Sequence, residues 1–405
     1  MSGARTRRIT GGSNLKSLGL FIVLTAVCVV VVRSIDLMTN IVPEKLLFDS
    51  IYYIRLAENG FTPKSMVSPF VYRYATPWMA GALHALLEIS LFKSFRLIAY
   101  FAGTAQLISV FGLVYWLTRS FRGSFAAVFA VAFSLFNLKY LLFDVYRPDH
   151  FAYAIIVLST ILAFQKRFAP LLLLTMLGAQ IREFVVIPLI AYLIVHVQFE
   201  GIKPSYKQLV ASVMGLVVSV VLPRVLIPIT KDIQAVHFSL AGTAEAISMV
   251  IDPKRLVNIV FIVLAYLLPS VLLFRRDQSD QINSWLDSNK RAFVVYYSAL
   301  AFLLLVVWGT DLDRFATYLF LPQVIFVGFR ARSEGLLVIL AVLAVQFAFN
   351  RIWLDFPTSE LRHYIDFYGG YGSRVTPASL MRFAELASYI FGFKLLQVYV
   401  FKLGN

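Results

Sequence analysis

Apolar residues run along this chain in blocks, and polar residues gather between the blocks rather than alternating within them. Blocks at 18–32, 97–117, 125–142, 151–164, 209–227, 256–274, 292–308, 315–329 and 335–349 are predominantly apolar. A pair of blocks between 169 and 197 is interrupted by Arg182 and Glu183. About 20 apolar residues cross the hydrocarbon core of a bilayer. The pattern therefore predicts an all-α fold, a polytopic transmembrane helix bundle of about 10–12 spans. The interrupted pair has short arms: residues 168–180 reach only about 20 Å at helical rise, so they tilt little or enter halfway. Block 78–92 is also short and carries His84 and Glu88, which predicts a helix lying along the membrane surface. Block 380–400 fits either a last span or a second interfacial helix.

Charge supplies an orientation. Arg119 and Arg122, Lys166 and Arg167, Lys203 and Lys207, Arg275, Arg276, Lys290 and Arg291, then Arg330 and Arg332 fall in alternate connections. The positive-inside rule assigns those connections to the cytoplasm. Arg5, Arg7, Arg8 and Lys16 precede the first block, and no small-residue cleavage signal follows it, which predicts a retained signal anchor with its N-terminus inside. In this register 1–16 is a cytoplasmic basic tail and 33–96 a first extracytoplasmic loop carrying short interfacial helices. The bundle occupies 97–349 and a C-terminal tail 350–405, all within a single membrane domain, 1–405. Were 78–92 to cross, Arg119 and Arg122 would face outward and the later loops would invert.

Composition narrows the function classes. With 59% hydrophobic and 15% charged residues, the chain holds more apolar surface than a water-soluble core of this length can use. The net charge of +15 flanks apolar blocks and forms no single stripe, so it argues for membrane topology and against a nucleic-acid partner. Cys28 is the only cysteine; intrachain disulfides are impossible and thiol metal sites disfavoured. No Walker-type loop, Rossmann glycine pattern or zincin helix occurs. An enzyme built this way needs its activated substrate delivered within the membrane, and a polyprenyl-phosphate carrier meets that need.

Ionisable groups at membrane depth are costly and often mark sites, and here they recur in the connections assigned to the outside. Asp36 follows the first block. Asp49 opens an amphipathic run closed by Asn59 and Gly60, where it is either an N-cap or a carboxylate that takes a proton from an acceptor hydroxyl. Tyr52 and Tyr53 stand one turn away. Arg73 lies between aromatic residues bounded by Pro69 and Pro77, as a snorkelling anchor or a phosphate ligand. Asp144, Arg147, Asp149 and His150 gather at a helix start, as a local ion pair or as ligands of a sugar or a divalent metal. The metal signal is weak, because no second His or Glu stands at i+4. Arg182 either binds a diphosphate or neutralises its neighbour Glu183. Asp311, Asp313 and Arg314 repeat the theme, with Asp313 also readable as a helix cap.

These segments resemble the GT-C class of integral membrane glycosyltransferases. The likeness is sharpest at 48–60, similar to that class's acidic first outer loop. It recurs at 69–77, similar to its proline-bounded tyrosine–arginine segment, and at 144–150, similar to its second acidic motif; 310–314 looks like a late aspartate–arginine pair. The resemblance implies inverting transfer of a sugar from a polyprenyl-phosphate donor to a glycan, lipid or protein acceptor. It implies Asp49 as base, Arg73, Arg182 or Arg314 holding the lipid phosphate, and Asp144 or Asp149 orienting the acceptor or a metal. The family usually carries an acidic pair early in the first loop, whereas Asp36 stands thirteen positions before Asp49, so the base assignment is open between them. Without a large soluble domain the chain resembles the compact bacterial members, which implies the bacterial plasma membrane. No cofactor is required by the pattern, and a divalent metal ion is left open.

Two other functions use the same residues. A transporter or flippase for a lipid-linked or small anionic substrate also places charges in a bundle, though at the midplane and often within inverted repeats. A glycan repeat polymerase differs in acceptor more than in chemistry.

Overall fold

Inside a bilayer no water satisfies backbone N–H and C=O groups, so an apolar chain must close its hydrogen bonds within helices. The computed structural model, which describes residues 12–37, 50–134, 137, 145–232, 253–274, 286–308, 315–354 and 377–399, is a polytopic helical membrane protein. Its first half contains α1 (Gly12–Leu37), α2 (Ser50–Asn59), α3 (Ala75–Leu87), α4 (Leu91–Thr118), α5 (Phe121–Ala132), α6 (Asp149–Phe164), α7 (Phe168–Ala179) and α8 (Ile187–Glu200). Next come α9 (Ile202–Leu216), a π-helical turn (Val217–Val221) and α10 (Leu222–Leu226). The remainder comprises α11 (Pro253–Tyr266), α12 (Leu268–Leu273), α13 (Ser288–Trp308), α14 (Phe320–Ser333), α15 (Leu336–Leu354) and α16 (Pro377–Tyr399). Among the described residues four helical stretches are long and apolar enough to cross a membrane: Leu91–Thr118, Glu183–Glu200, Ile202–Leu226 and Ser288–Val306. The only strands in this set are two-residue pieces, β1 (Val67–Ser68) and β2 (Lys231–Asp232), paired in parallel.

The interrupted pair is asymmetric. Its first arm, α7, has 12 residues, whereas a 3₁₀ turn at Glu183–Val186 extends α8 into an 18-residue stretch. The apolar block at 209–227 belongs to a longer helical stretch, beginning at Ile202. Its buried positions are small, Ser205, Ser212, Gly215 and Ser219, and bulky Val213, Val217 and Val225 are exposed. Small residues let helices approach where apolar contact alone offers no advantage over lipid. The Ser205 and Ser219 hydroxyls donate to the carbonyls one turn back, at 2.6 and 2.7 Å.

The block at 256–274 breaks before Pro269, which has no N–H and clashes with the preceding turn. Neighbouring side chains satisfy the carbonyls around the break. Gln323 Nε2 donates to Tyr266 O at 2.8 Å, Arg330 Nε to Leu273 O at 3.1 Å and Lys394 Nζ to Leu272 O at 2.8 Å. The last of these ties α16, a 23-residue helix, against α11, α12 and α15.

α4 is the central helix, packed on α1, α3, α5, α6 and α14. α5 and α14 approach closely because a Cβ at Gly123 would stand 2.2 Å from the Gly328 carbonyl oxygen. Gly123→Ala should therefore force two backbones apart and destabilise the protein by about 1–3 kcal/mol, the usual range for overpacking. Gly112→Ala, where nothing lies within 4 Å, is the control. Equal unfolding midpoints for the two variants in detergent would refute the packing account.

The chain's turns sort to two ends of the bundle. At one, Arg122 Nη1 donates to Glu334 O at 2.9 Å, Arg332 Nη1 to Thr118 O at 3.4 Å, and Lys166 pairs with Glu200 at 3.4 Å. The other carries segments 60–75, 145–150 and 180–186.

Candidate functional site

α2 presents Tyr53 and Leu56 to the interior and stops at Gly60, whose φ of +59° favours a residue without a side chain. The chain then folds back through Thr62 and Ser65, whose backbone and hydroxyl groups bond one another. Thr230 holds this loop by donating from its N–H to Met66 O at 2.9 Å and from its hydroxyl to Pro63 O at 2.7 Å. Phe70 fills the space beneath α2, stacked on Tyr52 at 4.6 Å and edge-on to Tyr53 at 5.5 Å. That packing turns Arg73 inward.

Arg73 is 5% exposed and does not snorkel. Its Nη2 and Nε donate to the two carboxylate oxygens of Glu183 at 2.6 and 3.1 Å, and its Nη1 to the Tyr53 hydroxyl at 3.4 Å. Burial opposes the charge on Arg73, but Glu183, then Tyr53, outweigh it and displace its pKa upward. The guanidinium is therefore permanently protonated. Two hydrogen bonds through Gln180 keep its segment in register with α7 and the π turn: Ala75 N–H donates to the Gln180 backbone O at 3.3 Å, and the Gln180 side-chain Nε2 donates to Ser219 O at 2.6 Å.

Arg182, 1% exposed, faces Asp149, which is fully buried in the first turn of α6. Its Nε lies 3.4 Å from Asp149 Oδ1, and its guanidinium carbon 5.4 Å from the Phe184 ring centroid. Nη1 of Arg182 makes no hydrogen bond among the described residues. Arg73, Arg182, Asp149 and Glu183 together carry two positive and two negative formal charges, drawn from three distant stretches of chain. His150 and Arg147 are buried beside them, at 1% and 6% exposure. Arg182 keeps an electrostatic interaction with its neighbour Glu183, while the ion-pair geometry gives Glu183 to Arg73 and Asp149 to Arg182.

Asp49, Asp144, Asp311, Asp313 and Arg314 lie outside the described residues, as does the side chain of Asp36. Among the described residues no group of three or more His, Cys, Asp or Glu side chains is gathered as metal ligands would be.

Two participants lie outside the charged motifs of the sequence. Tyr318, fully buried, interacts electrostatically with Arg182 and packs on Tyr153 and Phe184 at 5.1 and 5.8 Å between ring centroids. Arg224 lies 4.8 Å over the Tyr72 ring at the end of a lipid-length helical stretch. Its signal was available, since it is the one charge within the block at 209–227. Tyr318 had none, being one aromatic among many.

The arrangement sets two guanidiniums against two carboxylates in a low-dielectric setting, where charge-assisted contacts are strong. The sequence matches no protein-family model, no curated protein and no solved structure.

Proposed function

We propose that this chain is a membrane glycosyltransferase that moves a sugar from a polyprenyl-phosphate donor to an acceptor at the extracytoplasmic face. The observation that carries this reading is the buried quartet of Arg73, Glu183, Arg182 and Asp149, assembled at the bundle end opposite the lysine- and arginine-rich turns. By the positive-inside rule the basic end is cytoplasmic, which puts the quartet on the outer side, with α2 and α3 along that membrane boundary. The resemblance of 48–60, 69–77 and 144–150 to GT-C enzymes points the same way.

In this mechanism an acceptor hydroxyl oxygen attacks the anomeric carbon, and the bond from that carbon to the carrier phosphate breaks. The hydroxyl proton passes to Asp49, or to Asp36 if that is the base, and polyprenyl phosphate leaves with the electron pair. Attack from the face opposite the leaving group inverts the anomeric centre. Phosphate is already a good leaving group, so cations that stabilise its developing charge supply most of what remains. Arg73 has committed Nε and Nη2 to Glu183, which makes Arg182 Nη1 the better-placed donor. Arg314 is the further candidate, and Asp144 or Asp149 orients the acceptor or a divalent metal.

The test is reconstitution in liposomes with a panel of polyprenyl-phosphate sugars labelled in the sugar. Transferase activity predicts release of polyprenyl phosphate in step with labelled glycoside of inverted configuration. Label that crosses the bilayer on an intact donor would identify a transporter and overturn the proposal.

A further inference from the structure

The basic end of the bundle holds a cavity that the proposed transfer does not use. It is a small, open-mouthed hollow that lies where the C-terminal turns of α6 and α8 meet the N-terminal turn of α13. Inside, Phe164 and Phe293 meet edge to face at 5.1 Å. At the mouth, Phe199 is exposed.

The rim carries both signs of charge. Lys166 Nζ stands 3.4 Å from Glu200 Oε1, with 57% and 43% of these side chains exposed. His196, stacked on Tyr192 at 5.7 Å, has its Nδ1 3.8 Å from the same oxygen. On the α13 side Lys290 pairs with Asp287 and lies 5.6 Å over the Trp116 ring. Asp287 also caps α13 by accepting from the Lys290 backbone N–H at 2.9 Å.

We propose that this cavity binds a zwitterionic phospholipid headgroup that combines a phosphate with a primary ammonium, of the phosphoethanolamine type. Charge balance selects the ligand. Lys166 and Lys290 offset Glu200 and Asp287, so a purely anionic headgroup would set its phosphate against two carboxylates with no cation of its own. A zwitterion answers both signs. Its phosphate takes the two lysines while its ammonium takes the two carboxylates, beside aromatic faces that attract cations. The exposed Lys166–Glu200 pair contributes little by itself, so exchanging it for ligand contacts costs little. The apolar walls and the exposed Phe199 suit the first methylenes of acyl chains, at the end of the bundle where headgroups lie.

The full chain in detergent, titrated with short-chain phosphatidylethanolamine, phosphatidylglycerol and phosphatidylcholine and read by native mass spectrometry, tests this. The ethanolamine lipid should be retained about tenfold more strongly than the glycerol lipid, equivalent to about 1.4 kcal/mol. The choline lipid should also bind less, because its quaternary ammonium has no N–H to donate. Glu200→Gln makes the rim net positive and should remove or invert the preference for ethanolamine over glycerol. Asp287→Asn, which keeps the helix cap, should act in the same direction. Competition by free phosphoethanolamine, and not by inorganic phosphate, would place recognition in the headgroup. Equal retention of the ethanolamine and glycerol lipids by the unaltered protein, or an unchanged preference in both variants, would overturn the proposal. This result is independent of whether the protein transfers sugars.

Discussion

Replacing Glu183 by alanine is expected to destabilise the folded protein by about 3–5 kcal/mol, the cost of leaving a buried partner charge uncompensated. The size follows from what the change leaves behind. Arg73 would lose both bonds to the carboxylate, at 2.6 and 3.1 Å, while its own side chain stays 6% exposed. Arg182 would lose a neighbouring negative charge and keep the repulsion of Arg73. Exchanging both members of the pair for apolar residues, Arg73→Met with Glu183→Leu, removes the stranded charge together with its partner. Such replacements are often neutral or stabilising, so the double variant should recover most of the loss. Unfolding followed in detergent, with both single variants and the pair, gives the coupling directly. Additive losses in the double variant would mean that the pair does not act as a unit, and the case for an assembled site would fail with it.

Asp49→Asn should lower transfer from a polyprenyl-phosphate sugar by about 10²–10⁴-fold, the usual contribution of a general base. The substitution separates two roles. Asparagine is as good an N-cap as aspartate, and α2 begins at the next residue, Ser50, so a purely capping Asp49 would tolerate it in both stability and rate. A base would not, because the amide cannot accept the acceptor's proton. Full turnover with an unchanged unfolding midpoint would remove Asp49 from the mechanism and leave Asp36 as the carboxylate to test by the same exchange. Loss of both folding and rate would also count against the base assignment, since it would reveal a structural residue.

Much of the fold was legible along the chain for a local reason. A helix satisfies its own backbone, so a long uncharged block is nearly sufficient evidence for one. The blocks at 97–117 and 292–308 appear within α4 and α13, slightly extended at their ends. The candidate site was legible only as a set of residue types. Arg73, Asp149, Arg182 and Glu183 could each be singled out as costly charges, and their pairing could not, since adjacent residues such as Arg182 and Glu183 need not face each other.

The sequence by itself determined that this is a helical, multi-pass membrane protein, with ionisable residues placed between its apolar blocks. Only the tertiary structure decided that Arg73 turns inward to a carboxylate 110 positions away and that Asp149 answers Arg182. It also brought Tyr318 and Arg224 to the same end of the bundle. The reason is range. Transfer into lipid and backbone hydrogen bonding act residue by residue along a helix. Ion pairing acts through space, and its partners are fixed by how helices pack, which small residues such as Gly123 and Ser212 permit and no short stretch of chain encodes.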